Sequence, residues 1–390
     1  MNDVVLCWFQ AMVREQASDL ILRAGHRPAI RVEGKVRFLA EEIFSDEQAD
    51  RLLEQILSPE EIAEFRVAQE KDTAIVVPDV GRFRTNILRQ RRQVAFVFRY
   101  VKDVVPGMEE LHLPAGALQR LSMMQRGLVL VTGIAGSGKS TTLASMIDHI
   151  NRSTQRHIVT IEDPIEFVFR DDKSAITQRE IGIDTADYHT ALKAVVRQTP
   201  DVILVGEMRD LETVQAALSA AETGHLVLAT LHTVNAVQTV ERIISFFPPY
   251  QHGTVRLQLG LVLEGVVSQR LITRRATAGR VPAVEVLLGT PTVKEMILEG
   301  RTRELPEALE DGQAYYGTQT FNQSLVGLVR EGLIDYEDAI AAADSPDELK
   351  LALRGITKGV STIEATYAET PGGGGSTAGS GFSGTSRFGS

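Results

Sequence analysis

The sequence predicts an α/β protein in two units. The first is an N-terminal α+β module with an antiparallel sheet; the second is a parallel-sheet unit built around a phosphate loop and ending in a helical part. Three observations carry this. Residues 1–103 hold one helical pattern and several short strand-like runs with Gly or Pro near their ends. From residue 117, apolar runs of strand length alternate with helical segments, as buried parallel strands with crossover helices do. Between the first such run and its helix stands "GIAGSGKST", residues 133–141.

Bulk properties narrow the class. At 390 residues the chain is too long for one ordinary core. Its 43% hydrophobic and 24% charged content is that of a soluble globular protein. The single cysteine, Cys7, rules out a disulfide framework and a four-cysteine zinc site within one chain. No apolar run approaches the roughly 20 residues of a membrane-spanning helix. The opening "MNDVVLCWFQAMVREQ" has none of the patterning of a secretory signal. A formal charge of −10 provides no global field to attract nucleic acid.

The elements follow in order. A helical pattern covers 3–17, and "DLILRAG", "PAIRVEG", "TAIVVPD", "FRTNIL" and "VAFVFRYV" read as strands. "VKDVVPGMEELHLPAG", with two prolines and two glycines, reads as a linker. "GLVLVTG", "HIVTIED", "DVILVGE" and "HLVLATLH" are the buried strands, with helices at 140–150, 187–198 and 211–222. Residues 252 to about 355 read as mostly helical. The last twenty residues are almost all Gly, Ser and Thr and predict a disordered tail. The expected division is therefore 1–103, a linker at 104–116, a second unit at 117–370 and the tail at 371–390.

"GIAGSGKST" fits G-x-x-x-x-G-K-[ST] with Gly133, Gly138, Lys139 and Ser140 at the fixed places. It leaves a strand and opens a helix, which is where the chemistry needs it. Glycines let backbone N–H groups turn inward around phosphates, and the helix N-terminus adds its positive end. Gly136, Ser137 and Thr141 complete the loop and first turn. Lys139 reaches the β- and γ-phosphates, and the Ser140 hydroxyl can ligate Mg2+. The competing reading is a glycine-rich turn with a solvated lysine, and the strand–loop–helix context argues against it. The expected ligands are a nucleoside triphosphate and Mg2+.

Two strand ends offer carboxylates for the metal and an attacking water. "TIEDPIEF" supplies Glu162, Asp163 and Glu166, and "VILVGEMRD" supplies Glu207. Carboxyl ends of parallel strands share one edge, where ligands bind. Each acid alone could equally be a capped turn or a surface ion pair. His225 and His232 flank the strand "LVLATL"; His232 ends it on the same edge, in place to contact a γ-phosphate. "GRFRTNILRQRRQVAFVFR" carries Arg82, Arg84, Arg89, Arg91, Arg92 and Arg99. It allows a nucleic-acid surface, the wet face of a sheet, or arginines offered to a neighbour's phosphates.

Together these segments resemble the secretion-type hexameric ATPases, and most specifically the type IV pilus retraction ATPases of the PilT/PilU family. The resemblance runs nearly to residue 355. "GIAGSGKSTTLASMID" is similar to the family's Walker A loop, "TIEDPIEF" to its Asp box, and "DVILVGEMRDLETVQAALSAAETGHLVLATLHT" to its Walker B region and His box; "VVSQRLI" resembles a further shared segment. The resemblance implies an N-terminal PAS-like domain, a RecA-like ATPase core and a homohexamer that retracts pili in twitching motility. It implies a cytoplasmic protein at the inner face of the inner membrane, held there peripherally through a pilus platform protein. A paralogous retraction ATPase is a further candidate partner, and no nucleic acid is expected. Carried over residue by residue, Lys139 and Ser140 hold phosphate and Mg2+, Glu207 and Glu166 serve metal and water, and His225 and His232 are the His-box pair. Arg84 and Arg99 are the implied trans-acting arginines. By resemblance Glu207 is the Walker B acid, and either Glu166 or Glu207 is the general base, with Glu166 favoured because its loop can lean toward the attacking water.

One segment departs from the pattern. After the shared T-P, the retraction motif A-I-R-N-L-I-R-E is expected, and this chain reads T-V-K-E-M-I-L-E. The flanking "VPAVEVLLGTP" and "YYGTQTFNQSLVGLVREGLI" look more like PilU. The alternatives are thus an accessory subunit dependent on a partner motor and, more remotely, a nucleic-acid translocase.

Overall fold

Two β-sheets organise the chain. The computed structural model describes residues 3–32, 34–101 and 104–355, so the tail expected at 371–390 lies outside the described residues. The N-terminal sheet contains β1 (Asp19–Arg23), β2 (Ala29–Val32), β3 (Lys35–Phe38), β4 (Glu70–Val77), β5 (Gly81–Gln90) and β6 (Gln93–Val101). Their order is β3-β2-β1-β6-β5-β4, and every pairing is antiparallel. Helix α1 (Asp3–Arg14) buries Val5, Trp8, Phe9 and Met12, whose three- and four-residue spacing makes one apolar face. Phe9 meets Phe83 of β5 and Phe98 of β6 edge-on, at centroid distances of 4.6 and 4.7 Å. Helices α2 (Asp46–Ile56) and α3 (Pro59–Ala68) each begin with a capping box, Ser45 with Gln48 and Ser58 with Glu61. S-x-x-Q and S-x-x-E are the sequence signals of these two starts.

The second sheet contains β7 (Gly127–Thr132), β8 (His157–Glu162), β9 (Ala175–Glu180), β10 (Val202–Val205), β11 (Leu226–Leu231), β12 (Leu263–Thr273) and β13 (Arg280–Leu288). The order β13-β12-β7-β11-β10-β8-β9 is parallel throughout except for the β12–β13 pair. Helices α4 (Ala115–Ser122), α5 (Lys139–Ser153), α6 (Tyr188–Val195), α7 (Leu211–Glu222), α8 (Ala236–Ser245), α9 (His252–Val262) and α10 (Pro291–Glu299) accompany it. Alternate residues of β7 face opposite cores: Leu128 and Leu130 join one apolar cluster, Val129 and Val131 the other. Both faces are therefore covered, which is why these strands read as unbroken apolar runs. Met108 and Leu113, in the stretch expected as a linker, are buried in the cluster that holds Val129 and Val131.

The mostly helical reading of 252–355 needs correction. Short helices α11 (Leu305–Asp311), α12 (Gln313–Tyr316), α13 (Phe321–Arg330), α14 (Tyr336–Ala342) and α15 (Pro346–Leu353) do fill its end. But β12 and β13 lie within it, and β12 sits directly beside β7. Ser268, Gln269 and Arg270 interrupt the apolar run of β12 in mid-strand, and Pro282 and Glu285 that of β13. Across the two sheets, Arg82 Nη2 of β5 donates to Glu180 Oε2 of β9 at 3.1 Å.

The Phe9 contacts predict a measurable cost. Phe9→Ala should destabilise the fold by about 3–5 kcal/mol, read as a lower denaturant midpoint for the phase that reports the N-terminal sheet. A loss below about 1 kcal/mol would mean the α1 face does not anchor that sheet.

Candidate nucleotide site

The site begins where β7 ends. The chain leaves Thr132 through Gly133, Gly136 and Gly138, with φ of +147°, +74° and +93°. At Gly133 a Cβ would stand 2.4 Å from Ser137 Oγ and 2.6 Å from the Gln269 carbonyl oxygen, so only glycine fits. Gly138 is the N-cap of α5, and no side chain caps that helix. Its first N–H groups are left for an anion. The Ser137 hydroxyl is buried and has no hydrogen-bond partner among the described residues. A phosphate chain fits this cradle: positive-φ glycines, unused donors and a helix N-terminus meet at one point.

Lys139 is buried, and its ammonium turns back on its own loop. Nζ donates to the carbonyls of Gly133 at 2.9 Å and Ile134 at 3.1 Å, and contacts His232 Nδ1 at 3.3 Å. Burial lowers its pKa, while Glu207 and Glu166 pull the other way. His232 Nε2 lies 3.2 Å from Glu207 Oε1. An ammonium can only donate, so Nδ1 accepts and the ring proton sits on Nε2, donating to Glu207. Glu207 Oε2 pairs with Arg209 Nη2 at 2.8 Å, and Arg209 Nη1 stands 3.6 Å from Asp163 Oδ2. Burial acts to raise the Glu207 pKa, but the Arg209 hydrogen bond, the electrostatic pull of the His232 ring and the charges of Arg209 and Lys139 outweigh it and hold the carboxyl below its ordinary value. One polar chain thus runs Lys139–His232–Glu207–Arg209–Asp163, joining the ends of β7, β11, β10 and β8.

This chain lines a cavity of about 270 Å³. Gly136, Lys139, Ser140, Glu166, Glu207 and His232 all border it. Gly133, Ser137 and Gly138 shape the loop behind it, and Thr141 follows in the first turn of α5. Ser140 is exposed there, and so is Glu166, whose side chain makes no hydrogen bond or ion pair among the described residues. Glu162 turns its carboxylate inward to accept from Thr160 Oγ1 at 2.6 Å and Gln178 Nε2 at 3.2 Å. Desolvation pushes it up to about 7 against those bonds. Among the described residues no cluster of three or more His, Cys, Asp or Glu side chains could hold a metal alone. A cation here would rest on Ser140 and Glu207 together with phosphate oxygens, the usual habit of Mg2+.

Three expected residues are elsewhere. His225 precedes β11 while His232 follows it, so the two lie at opposite edges of the sheet, roughly 20 Å apart at ~3.3 Å per residue. His225 Nδ1 bonds the Ala220 carbonyl at 2.9 Å, at the end of α7, and does not line the cavity. Arg84 and Arg99 stand opposite one another on β5 and β6, both exposed, and neither borders this chain's own cavity. Arg99 Nε donates to the buried Asp19 at 2.9 Å.

Sequence reasoning passed over Arg209 and Tyr188, both on the cavity wall. Arg209 had a signal, an arginine two residues beyond the strand-end acid. Tyr188 had none; its hydroxyl would stand 2.7 Å from a Cβ at Gly206, which explains the glycine inside "VILVGE". No helix among the described residues is long and apolar enough to cross a membrane.

Glu162 gives a pH prediction. The unfolded carboxyl keeps its ordinary value of ~4.3, whereas the folded one lies at about 7. The folded state therefore holds the proton more tightly. That stability is fully present below ~4.3 and is lost as pH rises through about 7. Glu162→Gln should show a shallower fall in urea midpoint between about pH 5 and 8 than wild type. Parallel curves would contradict the assignment.

Comparison with known proteins agrees with this geometry. The chain matches the family model "Type II/IV secretion system protein" over residues 3–330. It is 44% identical over 334 residues to the type IV pilus retraction ATPase PilT of Pseudomonas aeruginosa, covering 86% of this chain and 96% of that one. It is 41% identical over 343 residues to the type IV pilus ATPase PilU of the same organism, covering 88% and 89%. The crystal structure of the pilus retraction motor PilT with bound ADP matches with a TM-score of 0.80 at 41% identity, over 89% of this chain and 98% of that one. The Legionella pneumophila ATPase DotB matches with a TM-score of 0.71 at 25% identity, over 87% and 96%. On the family match over residues 3–330 and these identities, the chain belongs to the type II/IV secretion system protein family and, within it, to the PilT/PilU group.

Proposed function

We propose that this chain is the subunit of a homohexameric ATP-hydrolysing motor that powers type IV pilus retraction. The observation that carries the proposal is the Lys139–His232–Glu207–Arg209 chain beside an uncapped helix N-terminus and its glycine loop. The motor would work at the cytoplasmic face of the inner membrane, bound peripherally through an inner-membrane platform protein. Its proposed units are residues 1–103 and 117–370, whose relative movement would turn hydrolysis into work.

The residues divide the task as follows. The loop N–H groups and Lys139 bind phosphate oxygens; Lys139 exchanges its own loop carbonyls for them. Ser140 and Glu207 would hold Mg2+, which supplies charge neutralisation at the phosphates when bound. Glu207 is already committed to Arg209 and His232, while Glu166 faces the cavity with a free carboxylate. Glu166 is therefore the better general base, able to take the proton of an attacking water. His232, held as the Nε2–H tautomer, links the charge state of Lys139 to that of Glu207. Arg84 and Arg99 would serve a neighbouring subunit's cavity.

A second reading is favoured by one segment. Helix α10 begins at Thr290 as N-cap and carries T-V-K-E-M-I-L-E, with Lys294 tied to Glu264 at 2.9 Å. The retraction motif is absent there, which suits an accessory subunit that needs a partner motor. Retraction in a strain carrying only this motor would dismiss that reading.

Two measurements test the assignments. Glu166→Gln should lower the rate of ATP hydrolysis by about 10²-fold or more and leave nucleotide binding in place, and Glu207→Gln should do likewise; full activity in either removes its role. Arg84→Ala should cost about 10³-fold in hydrolysis. Mixing it with Lys139→Ala subunits should restore activity if the arginine acts across the interface, and no recovery would place it in its own subunit or outside the chemistry.

A further inference from the structure

The segment "VVSQRLI" and one buried acid have no part in the chemistry above. β12 carries the segment, and Ser268 stands directly opposite Thr132 of β7 on one side and Glu285 of β13 on the other. The three side chains form a row across the sheet, one residue before the phosphate loop opens. Thr132 Oγ1 donates to Ser268 Oγ at 3.1 Å, and Ser268 Oγ donates to Glu285 Oε1 at 3.2 Å. The same Oε1 accepts the backbone N–H of Ala236, the first residue of α8, at 2.7 Å. All three residues of the row are buried, with Glu285 only 8% exposed.

This row is costly in its surroundings. Leu231, Val266 and Leu287 belong to the apolar cluster on the same face. An aliphatic residue at 285 would bury without needing donors, whereas a carboxylate there must be offset by the bonds it makes. What those bonds hold is specific. Between Leu231, the end of β11, and Ala236, the start of α8, lie only four residues, and the first is His232. Glu285 pins the far end of that loop, and Ser268 and Thr132 pin Glu285 to the strand from which the phosphate loop springs. The next residue of the segment reinforces the frame: Gln269 Nε2 donates to Thr142 Oγ1 of α5 at 2.8 Å.

We propose that Glu285 is a positioning residue for the nucleotide site, locking the loop that carries His232 to the strand that opens the phosphate loop. The proposal rests on the reading of that site as an ATPase. Glu285 touches neither nucleotide nor water; it acts by keeping His232 between Lys139 and Glu207.

The test measures steady-state ATP hydrolysis and ADP affinity of the full chain for wild type, Glu285→Ala, Glu285→Asp, Glu285→Gln, His232→Ala and the Glu285→Ala/His232→Ala double variant. Glu285→Ala should lower kcat about tenfold with ADP affinity held within about twofold of wild type. Glu285→Asp, which keeps the charge but falls short of Ala236, should lose about threefold. Glu285→Gln, whose carbonyl oxygen can accept both bonds, should recover to within about twofold of wild type. On the His232→Ala background, Glu285→Ala should add less than about a twofold loss, because the group it positions is gone. The proposal is overturned by an equal fold-loss on both backgrounds, by a fall in ADP affinity that tracks kcat, or by wild-type kcat in Glu285→Ala. If Glu285→Ala does not fold, Glu285→Asp on the two backgrounds decides by the same comparison. Hydrolysis undiminished in Lys139→Ala would overturn the reading of the site and this proposal with it; the outcomes above, with Lys139→Ala inactive, overturn this proposal alone.

Discussion

Parallel pairing of β8, β10, β11 and β7 brings four carboxyl ends to one edge of the second sheet, and the chemistry depends on that constraint. Without it, Lys139, Asp163, Glu207 and His232 would be scattered over some ninety residues of sequence. With it, they form a continuous chain of contacts around one cavity. The apolar cores on both faces keep the strands in register, so each strand's last residue is delivered to a fixed height. A one-residue slip would turn Glu207 or His232 toward the wrong face.

The charges at that edge balance one another. Lys139 is desolvated and therefore disfavoured as a cation, yet two glutamates support it. Glu207 is held ionised by Arg209, His232 and Lys139. A nucleotide's phosphates would bring the negative charge and acceptors that the ammonium now finds in its own loop carbonyls. The protein thus holds the Lys139 ammonium in a satisfied arrangement that a ligand can take over without unfolding the loop.

The sequence made the central strands legible because strands covered on both faces are apolar at every position. It also made the phosphate loop legible, since Gly133, Gly138, Lys139 and Ser140 occupy places that the backbone geometry demands. Four things were not legible. β12 was hidden by Ser268, Gln269 and Arg270, polar residues whose partners lie on other strands and helices, and β13 by Pro282 and Glu285 within its apolar run. The edge strand β9 (Ala175–Glu180) has one partner and a polar sequence, so it lacks the apolar run that marked its neighbours. The resemblance grouped His225 with His232, and the strand between them carries the two to opposite edges of the sheet. The Arg82–Glu180 bond joins residues 98 apart and follows only from the folded arrangement of the two sheets.

The central claim is that Lys139, on the uncapped N-terminus of α5, is the anchor for nucleotide phosphates. Calorimetric titration of ADP into wild type and Lys139→Ala protein tests it without relying on hydrolysis. The account predicts saturable binding by wild type and an affinity weaker by about tenfold or more in the variant, the worth of a lost charge-assisted hydrogen bond. Equal affinity in the two proteins would contradict it.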